Sequence, residues 1–276
     1  MTGDAALARM LARQKVPLLR GARNALLAAK HVLSFRDFQS RPYVKAPEVP
    51  ELPDIWRMRL RSQRHLPEWQ GLSLLKTYGL NVPEVARFDN VDKLIAACDL
   101  LRFPIALKVA KAHAHKSDAG GVDFNIISKE QAVKVYENLA ARLGPKAIAI
   151  EMAPSGHELA LGAIWDESFG SVVILSAGGV LIEYFDDRVA ALAPFDRQDA
   201  ARLIAALLIS DVLQGVRGRA AVNLDVVAEQ VSKFSLLAAS LGNLVAEIDV
   251  NPLISSPKGA FAVDCLVVPT AAYHSK

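Results

Sequence analysis

Residues 111–122, K-A-H-A-H-K-S-D-A-G-G-V, constrain this chain more than any other segment. They separate two apolar β-type runs, residues 103–109 and 122–127, so the region reads as a hairpin. Its connection is far too long and polar for a tight turn, and such loops inside compact domains are usually functional or disordered. Two histidines, two lysines, an aspartate and a Gly-Gly pair crowd into it. Gly120 and Gly121 can present backbone N–H groups to an anion, the lysines add positive charge, and an imidazole can accept a phosphoryl group. The segment reads as a phosphate-handling loop.

The 276 residues leave room for one large domain or two lobes. Residues 5–14 and 22–33 read as helices with a candidate strand at 16–19, followed by prolines at 42, 47, 50 and 53 that predict an extended linker. From about residue 67 the elements alternate. A helix over 68–78 stops at Gly79, a strand over 82–88 follows, and Asn90 is placed to cap a helix over 91–101. After the hairpin come a helix over 129–142 capped by Ser128 and strands at 147–152, 158–166, 171–176 and 180–185. Helices over 197–209 and 224–241 and strands at 245–249 and 260–267 close the chain. This order predicts an α+β or mixed α/β fold with two lobes rather than a doubly wound sheet.

Net charge is only +3, which gives no global case for nucleic acid. Residues 1–66 nevertheless hold 13 Lys/Arg against 5 Asp/Glu. The basic run at 56–64 reads as a solvated linker or as a face for an acidic partner. Cys98 and Cys265 lie far apart in apolar surroundings and have no metal-ligand spacing, as expected in a reducing cytosol. There is no signal-peptide core, and no apolar run approaches the roughly 20 residues that span a bilayer. A cytoplasmic protein that binds neither membrane nor nucleic acid is the expectation.

Several constellations carry chemistry. Lys108 ends the apolar strand F-P-I-A-L-K-V, where an ammonium needs water or an anionic partner, and a nucleotide phosphate would serve. Glu151 and Met152 end another strand before Pro154, where main-chain groups outside the ladder can read a purine edge. Glu158 is a ribose ligand or a surface carboxylate. The second glycine pair, in S-A-G-G-V-L-I-E at 176–183, is an anion loop or an ordinary hairpin turn. Gln214 to Arg219 form a glycine-bracketed basic turn. Last comes E-I-D-V-N-P-L at 247–253, with Asp264 beyond it. Strand alternation puts Glu247, Asp249 and Asn251 on one face, and an antiparallel final strand would bring Asp264 to them. These hard oxygen donors fit Mg²⁺, which takes one or two protein carboxylates and fills its shell with water and phosphates.

Taken together, F-P-I-A-L-K, A-H-K-S-D-A-G-G-V, E-M-A-P-S-G-H-E-L-A-L-G, A-G-G-V-L-I-E, V-R-G-R and E-I-D-V-N-P-L resemble the ATP-grasp module of ADP-forming acyl-CoA synthetases, relatives of the succinyl-CoA synthetase beta subunit. The resemblance spans about residues 68–268. It implies an ATP-grasp domain over 68–276, with a first lobe to about 150 and a second over 151–268. Residues 12–46 are similar to the end of the CoA-ligase region that precedes this module in fused enzymes. That implies a tail over 1–40 and a proline-rich basic linker over 41–67.

By the same resemblance, Lys108 contacts the ATP phosphates, Gly120 and Gly121 close over them, and Glu151 and Met152 hold the adenine. Asn251 and Asp264 hold Mg²⁺. His115 carries phosphate between the ATP site and a distant CoA site, with Asp249 beside it at the nucleotide. The implied reaction joins a carboxylic acid to CoA with ATP cleavage, and it needs a CoA-binding alpha-type subunit or domain. Homo- and hetero-oligomers both fit. Many relatives carry an arginine directly before the Leu-Ala-Pro segment, where this chain has Ala191. Two other readings stay open, an ATP-grasp ligase joining a carboxylate to an amine and a non-catalytic nucleotide-binding partner module.

Overall fold

The computed structural model describes residues 5–19, 21–41, 45–109, 121–179, 186–216 and 220–270. The chain falls into two units, Met1–Lys45 and Ala46–Lys276. The first consists of α1 (Ala5–Arg13) and α2 (Ala22–Gln39). Residues 16–19, expected as a strand, pair with nothing in the described structure, and Pro17 lacks the N–H a ladder requires. No residue of α2 is buried; Leu26, Val32, Leu33, Phe35 and Phe38 are all exposed.

The second unit begins with α3 (Asp54–Ser62) and α4 (Glu68–Thr77). Next come β1 (Val85–Phe88), α5 (Val91–Cys98), β2 (Ile105–Val109), β3 (Val122–Ile126), α6 (Lys129–Leu143) and β4 (Ala147–Glu151). The strands form an antiparallel sheet in the order β1-β4-β2-β3. Alternation divides its faces. Phe88, Ile105, Leu107, Val109, Ala147 and Ala149 pack with α5 and α6 in one cluster, while Ala106 and Ile150 belong to the core shared with α4 and the second sheet. The helix ends follow the sequence. Asn90 and Ser128 accept from Lys93 and Gln131 amides at 2.9 and 3.2 Å, and Gly79 takes φ +73° just past α4.

Strands β5 (His157–Asp166), β6 (Gly170–Ala177) and β7 (Arg188–Leu192) lead into α7 (Arg197–Ala206), the short α8 (Ser210–Leu213) and α9 (Leu224–Leu241). Then β8 (Val245–Ser256), β9 (Gly259–Ala262) and β10 (Leu266–Pro269) complete a second antiparallel sheet, ordered β10-β8-β5-β6-β7 with β9 against β8. Leu159, Leu161, Val173, Leu175, Ile248 and Val250 form its packed face, in one cluster with Val227, Val231, Phe234 and Leu237 of α9. The strand expected over 260–267 is thus two strands with Asp264 in the turn between them. The strand expected at 180–185 lies outside the described residues, and β7, unanticipated, forms the sheet edge. Among the described residues, no helix is long and apolar enough to cross a membrane.

The segment expected to be a linker through residue 67 contributes four residues to the core. Leu52, Trp56, Leu60 and Leu66 are buried with the main cluster, and the Trp56 indole donates to Thr77 Oγ1 at 3.3 Å. Of the arginines of the basic run, Arg57 and Arg59 are half-buried, Arg57 donating to the Leu52 carbonyl at 3.1 Å, Arg61 is exposed, and Arg64 lies beyond α3. Arg59 lies over the Trp56 ring at 4.7 Å. Leu60→Ala is therefore expected to destabilise the protein by about 2–5 kcal/mol, as a core truncation does. A denaturant midpoint unchanged from wild type would return α3 to the linker.

Candidate functional site

Lys108 projects from the face of the first sheet opposite α5 and α6. Its ammonium lies 2.7 Å from Glu68 Oε1, 2.8 Å from the Val263 carbonyl and 3.3 Å from Asp264 Oδ2. The Lys108 and Glu68 side chains are only 7% and 4% exposed. Burial opposes the ammonium, and the Glu68 and Asp264 carboxylates outweigh it, holding Lys108 above its ordinary pKa. Glu68 was missed in the sequence because an acid after Pro67 reads as an ordinary first-turn residue of a helix. Gly71, one turn on, explains how it arrives. A Cβ there would stand 2.9 Å from Cys265 Sγ, so only glycine lets α4 lie this close to the 264–265 turn. The Cys265 thiol is pushed far up by burial and by Asp264, Asp249 and Glu68, which disfavours its thiolate.

The acidic strand behaves as alternation requires up to Val250. There, β8 inserts one extra residue against β5, with Leu161 opposite Val250 but Leu159 opposite Leu253. The bulge falls at Asn251–Pro252. Strand β10 pairs antiparallel with β8, placing Leu266 opposite Asp249, and Asp264 lies two residues before it. Burial first, then the charges of Glu247 and Asp264, raise the Asp249 pKa to about 6. Among the described residues, no three His, Cys, Asp or Glu side chains form a ready-made metal cage. What exists is a group of hard oxygen donors in mutual repulsion, which fits a divalent cation that brings most of its shell with a phosphate ligand.

The remaining predicted residues are distributed as follows. Glu151 is turned to Arg102, accepting from its backbone N at 2.9 Å and its guanidinium at 3.2 Å. The Glu151 and Met152 amides donate to the Glu84 and Pro104 carbonyls at 3.0 and 2.9 Å, so these two N–H groups, expected to stand outside any ladder, are engaged. Glu158 is exposed at the start of β5. Gly121 extends the β2–β3 ladder, its carbonyl accepting from Val109 at 3.0 Å. His115, Gly120 and the basic turn at 217–219 lie outside the described residues. The second glycine pair serves backbone approach. A Cβ on Gly178 would meet the Leu159 carbonyl carbon at 2.6 Å, and Gly179 has φ +60° against Glu158.

Ala191 belongs to the packed face of its strand, with Val189 and Ala193 against the main core, whereas Arg188 is exposed on the other face. Asp187, in the charged patch Asp186-Asp187-Arg188, is buried, its carboxylate accepting from the Leu208 and Ile209 amides at 2.7 and 3.0 Å. A cavity of about 220 Å³ opens on the unpacked face, lined among others by Arg188, Ser176, Gly162, Glu247 and Asp249.

The sequence pattern of the ATP-grasp domain matches residues 57–268. The chain belongs to the ATP-grasp family. Within that family it is related to beta subunits of ADP-forming acid–CoA ligases. It is 32% identical over 214 residues to the acetate–CoA ligase (ADP-forming) I subunit beta of Pyrococcus furiosus, a match covering 74% of this chain and 92% of that one. It is 29% identical to the 4-hydroxybutyrate–CoA ligase (ADP-forming) of Nitrosopumilus maritimus, where 74% of this chain spans only 30% of the relative. Among solved structures, it superposes with TM-score 0.68 and 28% identity on the dinucleotide forming acetyl-coenzyme A synthetase 1 of Ca. Korarchaeum cryptofilum. That superposition covers 78% of this chain and 97% of the other, which was solved with coenzyme A and Mg-AMPPCP and with its phosphohistidine segment pointing towards the nucleotide binding site.

Two expectations follow for the ATP-grasp cleft without ligands. Glu68→Ala leaves the buried Lys108 short of its main counter-charge and is expected to cost about 3–5 kcal/mol in a denaturant melt. A loss below 1 kcal/mol would mean that the pair is dispensable. For Asp249, whose folded pKa exceeds the unfolded value, the folded state binds more protons between about pH 4 and 6, so stability falls as pH rises through that window. Asp249→Asn should therefore raise stability above pH 6 by up to about 3 kcal/mol and change little near pH 4. An equal effect at both pH values contradicts the shift.

Proposed function

We propose that this chain is the ATP-binding, phosphoryl-transferring part of an ADP-forming acyl-CoA synthetase, working with a separate CoA-binding module. The observation that carries the reading is the meeting of Lys108, from one sheet, with Asp264, from the other, in a single cleft. The similarity to a whole beta subunit supports it. In this proposal MgATP lies between the sheets. Lys108 and the Gly120 and Gly121 amides orient the phosphates and offset their charge. Asn251 and Asp264 would hold Mg²⁺, which when bound supplies further neutralisation of the phosphate oxygens. Glu158 would meet the ribose and the Glu151–Met152 segment the base. With both amides of that segment engaged, carbonyl oxygens remain to accept from an exocyclic amine, the donor adenine offers.

His115 is the proposed nucleophile. A ring-nitrogen lone pair forms the N–P bond, the bond from the γ-phosphorus to its bridging oxygen breaks, and that electron pair leaves on ADP. Asp249 accepts a hydrogen bond from the other ring nitrogen and stabilises the positive charge that develops. The phosphoryl group then passes to a carboxylic acid and the acyl group to CoA at the partner's site. Residues 1–40, as the tail of a CoA-ligase-like region, form the contact with that partner, and the setting is the cytoplasm.

Incubation of the full chain with γ-labelled ATP is expected to leave an acid-labile, base-stable label on the protein, absent in His115→Ala. Equal labelling of wild type and variant excludes the histidine. ADP release driven by an amine acceptor and indifferent to His115→Ala would move the chain to the amine-ligase reading.

A further inference from the structure

The cavity on the unpacked face of the second sheet is lined by two acids of β8 and, across the sheet, by Arg188 beside Asp187, whose carboxylate is turned to the Leu208 and Ile209 amides. Glu247 and Asp249 line it from β8 and Arg188 from β7, and the floor between them is small, with Ala160 and Gly162 on β5 and Ser176 on β6. Register places these residues in two rows, Asp249 opposite Gly162, and Ala160 opposite Ser176 opposite Arg188. A Cβ on Gly162 would find nothing nearer than Asp249 Oδ1 at 3.9 Å, so the floor is open rather than packed.

A pocket with carboxylates on one side and a guanidinium on the other selects a ligand that donates hydrogen bonds at one end and carries negative oxygens at the other. A phosphorylated imidazole is such a group. Its ring N–H suits a carboxylate, and its phosphoryl oxygens suit the planar fork of an arginine. We propose that Arg188 grips the transferred phosphoryl group on this face, across from the carboxylates that meet the ring. The assignment rests on the phosphohistidine reading above and adds a residue to it.

The backbone under Arg188 is fixed, because the buried Asp187 carboxylate ties the start of β7 to the Leu208 and Ile209 amides. The guanidinium, in contrast, is held among the described residues by Asp186 at 2.5 Å, in a pair with side chains 68% and 78% exposed. Such surface pairs contribute little, so Arg188 can exchange Asp186 for a phosphoryl group at small cost. The strand's alternation makes 188 an open-face position where a long cation fits, whereas the side chain at 191 faces the core.

The test is single-turnover labelling of the full chain by γ-labelled MgATP, with ATP affinity and thermal midpoint measured alongside. Arg188→Ala should slow label incorporation about 10- to 100-fold, the scale of losing one preorganised charge contact in a transition state. ATP affinity and thermal midpoint should stay near wild type, Arg188→Lys should recover part of the rate, and Asp186→Ala should not slow it. Unchanged labelling in Arg188→Ala overturns the assignment and leaves the phosphohistidine reading intact. A parallel loss of ATP affinity also overturns it, by moving the arginine to the nucleotide. A lysine variant as slow as alanine, with a lowered thermal midpoint in both, reduces Arg188 to a structural residue. No label on the wild type removes the phosphohistidine reading and this assignment together.

Discussion

The buried contact between Lys108 and Glu68 sets the terms for the rest of the cleft. An ammonium on a fully buried strand is tolerable only when counter-charges meet it, and here they come from two different parts of the fold. Glu68 rides on α4, and Asp264 comes from the turn before β10. Buried ion pairs are weak sources of stability but strong sources of registry, because any displacement strands a charge away from water. The pair fixes where the first sheet lies against the α4 and β10 region of the second. The same geometry explains what an anionic ligand would do. In the proposed ATP site, a phosphate brought to Lys108 would compete with the carboxylates already there, so nucleotide entry would redistribute these charges.

Both sheets present the cleft with the side chains that their helices leave over. In the first, odd positions of β2 pack on α5 and α6, leaving Ala106 and Lys108 for the opposite face. In the second, the packed face takes Leu159, Leu161, Val173, Leu175, Ile248 and Val250, and the open face is left with Ala160, Gly162, Ser176, Glu247 and Asp249. Small residues make the open face concave, and the acids cluster because one face of one strand carries both. The charge repulsion recorded in Asp249 is thus a direct result of strand alternation and of β10 closing beside β8.

Much of this was legible in the residues. Period-two runs, capping residues and glycine stops located most elements, and the acidic strand with its antiparallel partner could be anticipated from spacing alone. The failures have physical causes. The helix α3 hid behind its arginines, since they dominate its composition while two apolar residues, Trp56 and Leu60, decide its burial. The burial of Glu68 and Asp187 was invisible because their partners are remote in sequence, an ammonium forty residues away and two amides about twenty away. Nothing local distinguishes a buried acid from an exposed one. The Gly178–Gly179 pair left an anion loop and an ordinary hairpin turn both open, and its lack of a side chain at Gly178 is demanded by the backbone of β5 at 2.6 Å.

The first unit poses a different constraint. Around α2, Leu26 and Leu33 share one side, Phe38 lies roughly a third of a turn away, and Val32 and Phe35 fall on other sides, given about 100° per residue. A helix apolar on one stripe lies against a surface; one apolar all round needs cover from several directions. Most helical stability in proteins comes from packing of a helix face, so the cover also stabilises the helix itself. The segment is strongly basic as well, which disfavours pairing with a second copy of itself and favours an acidic surface. A folded partner with an apolar, acidic groove meets both requirements. Under the proposed function, the partner that receives the phosphoryl group would supply such a surface.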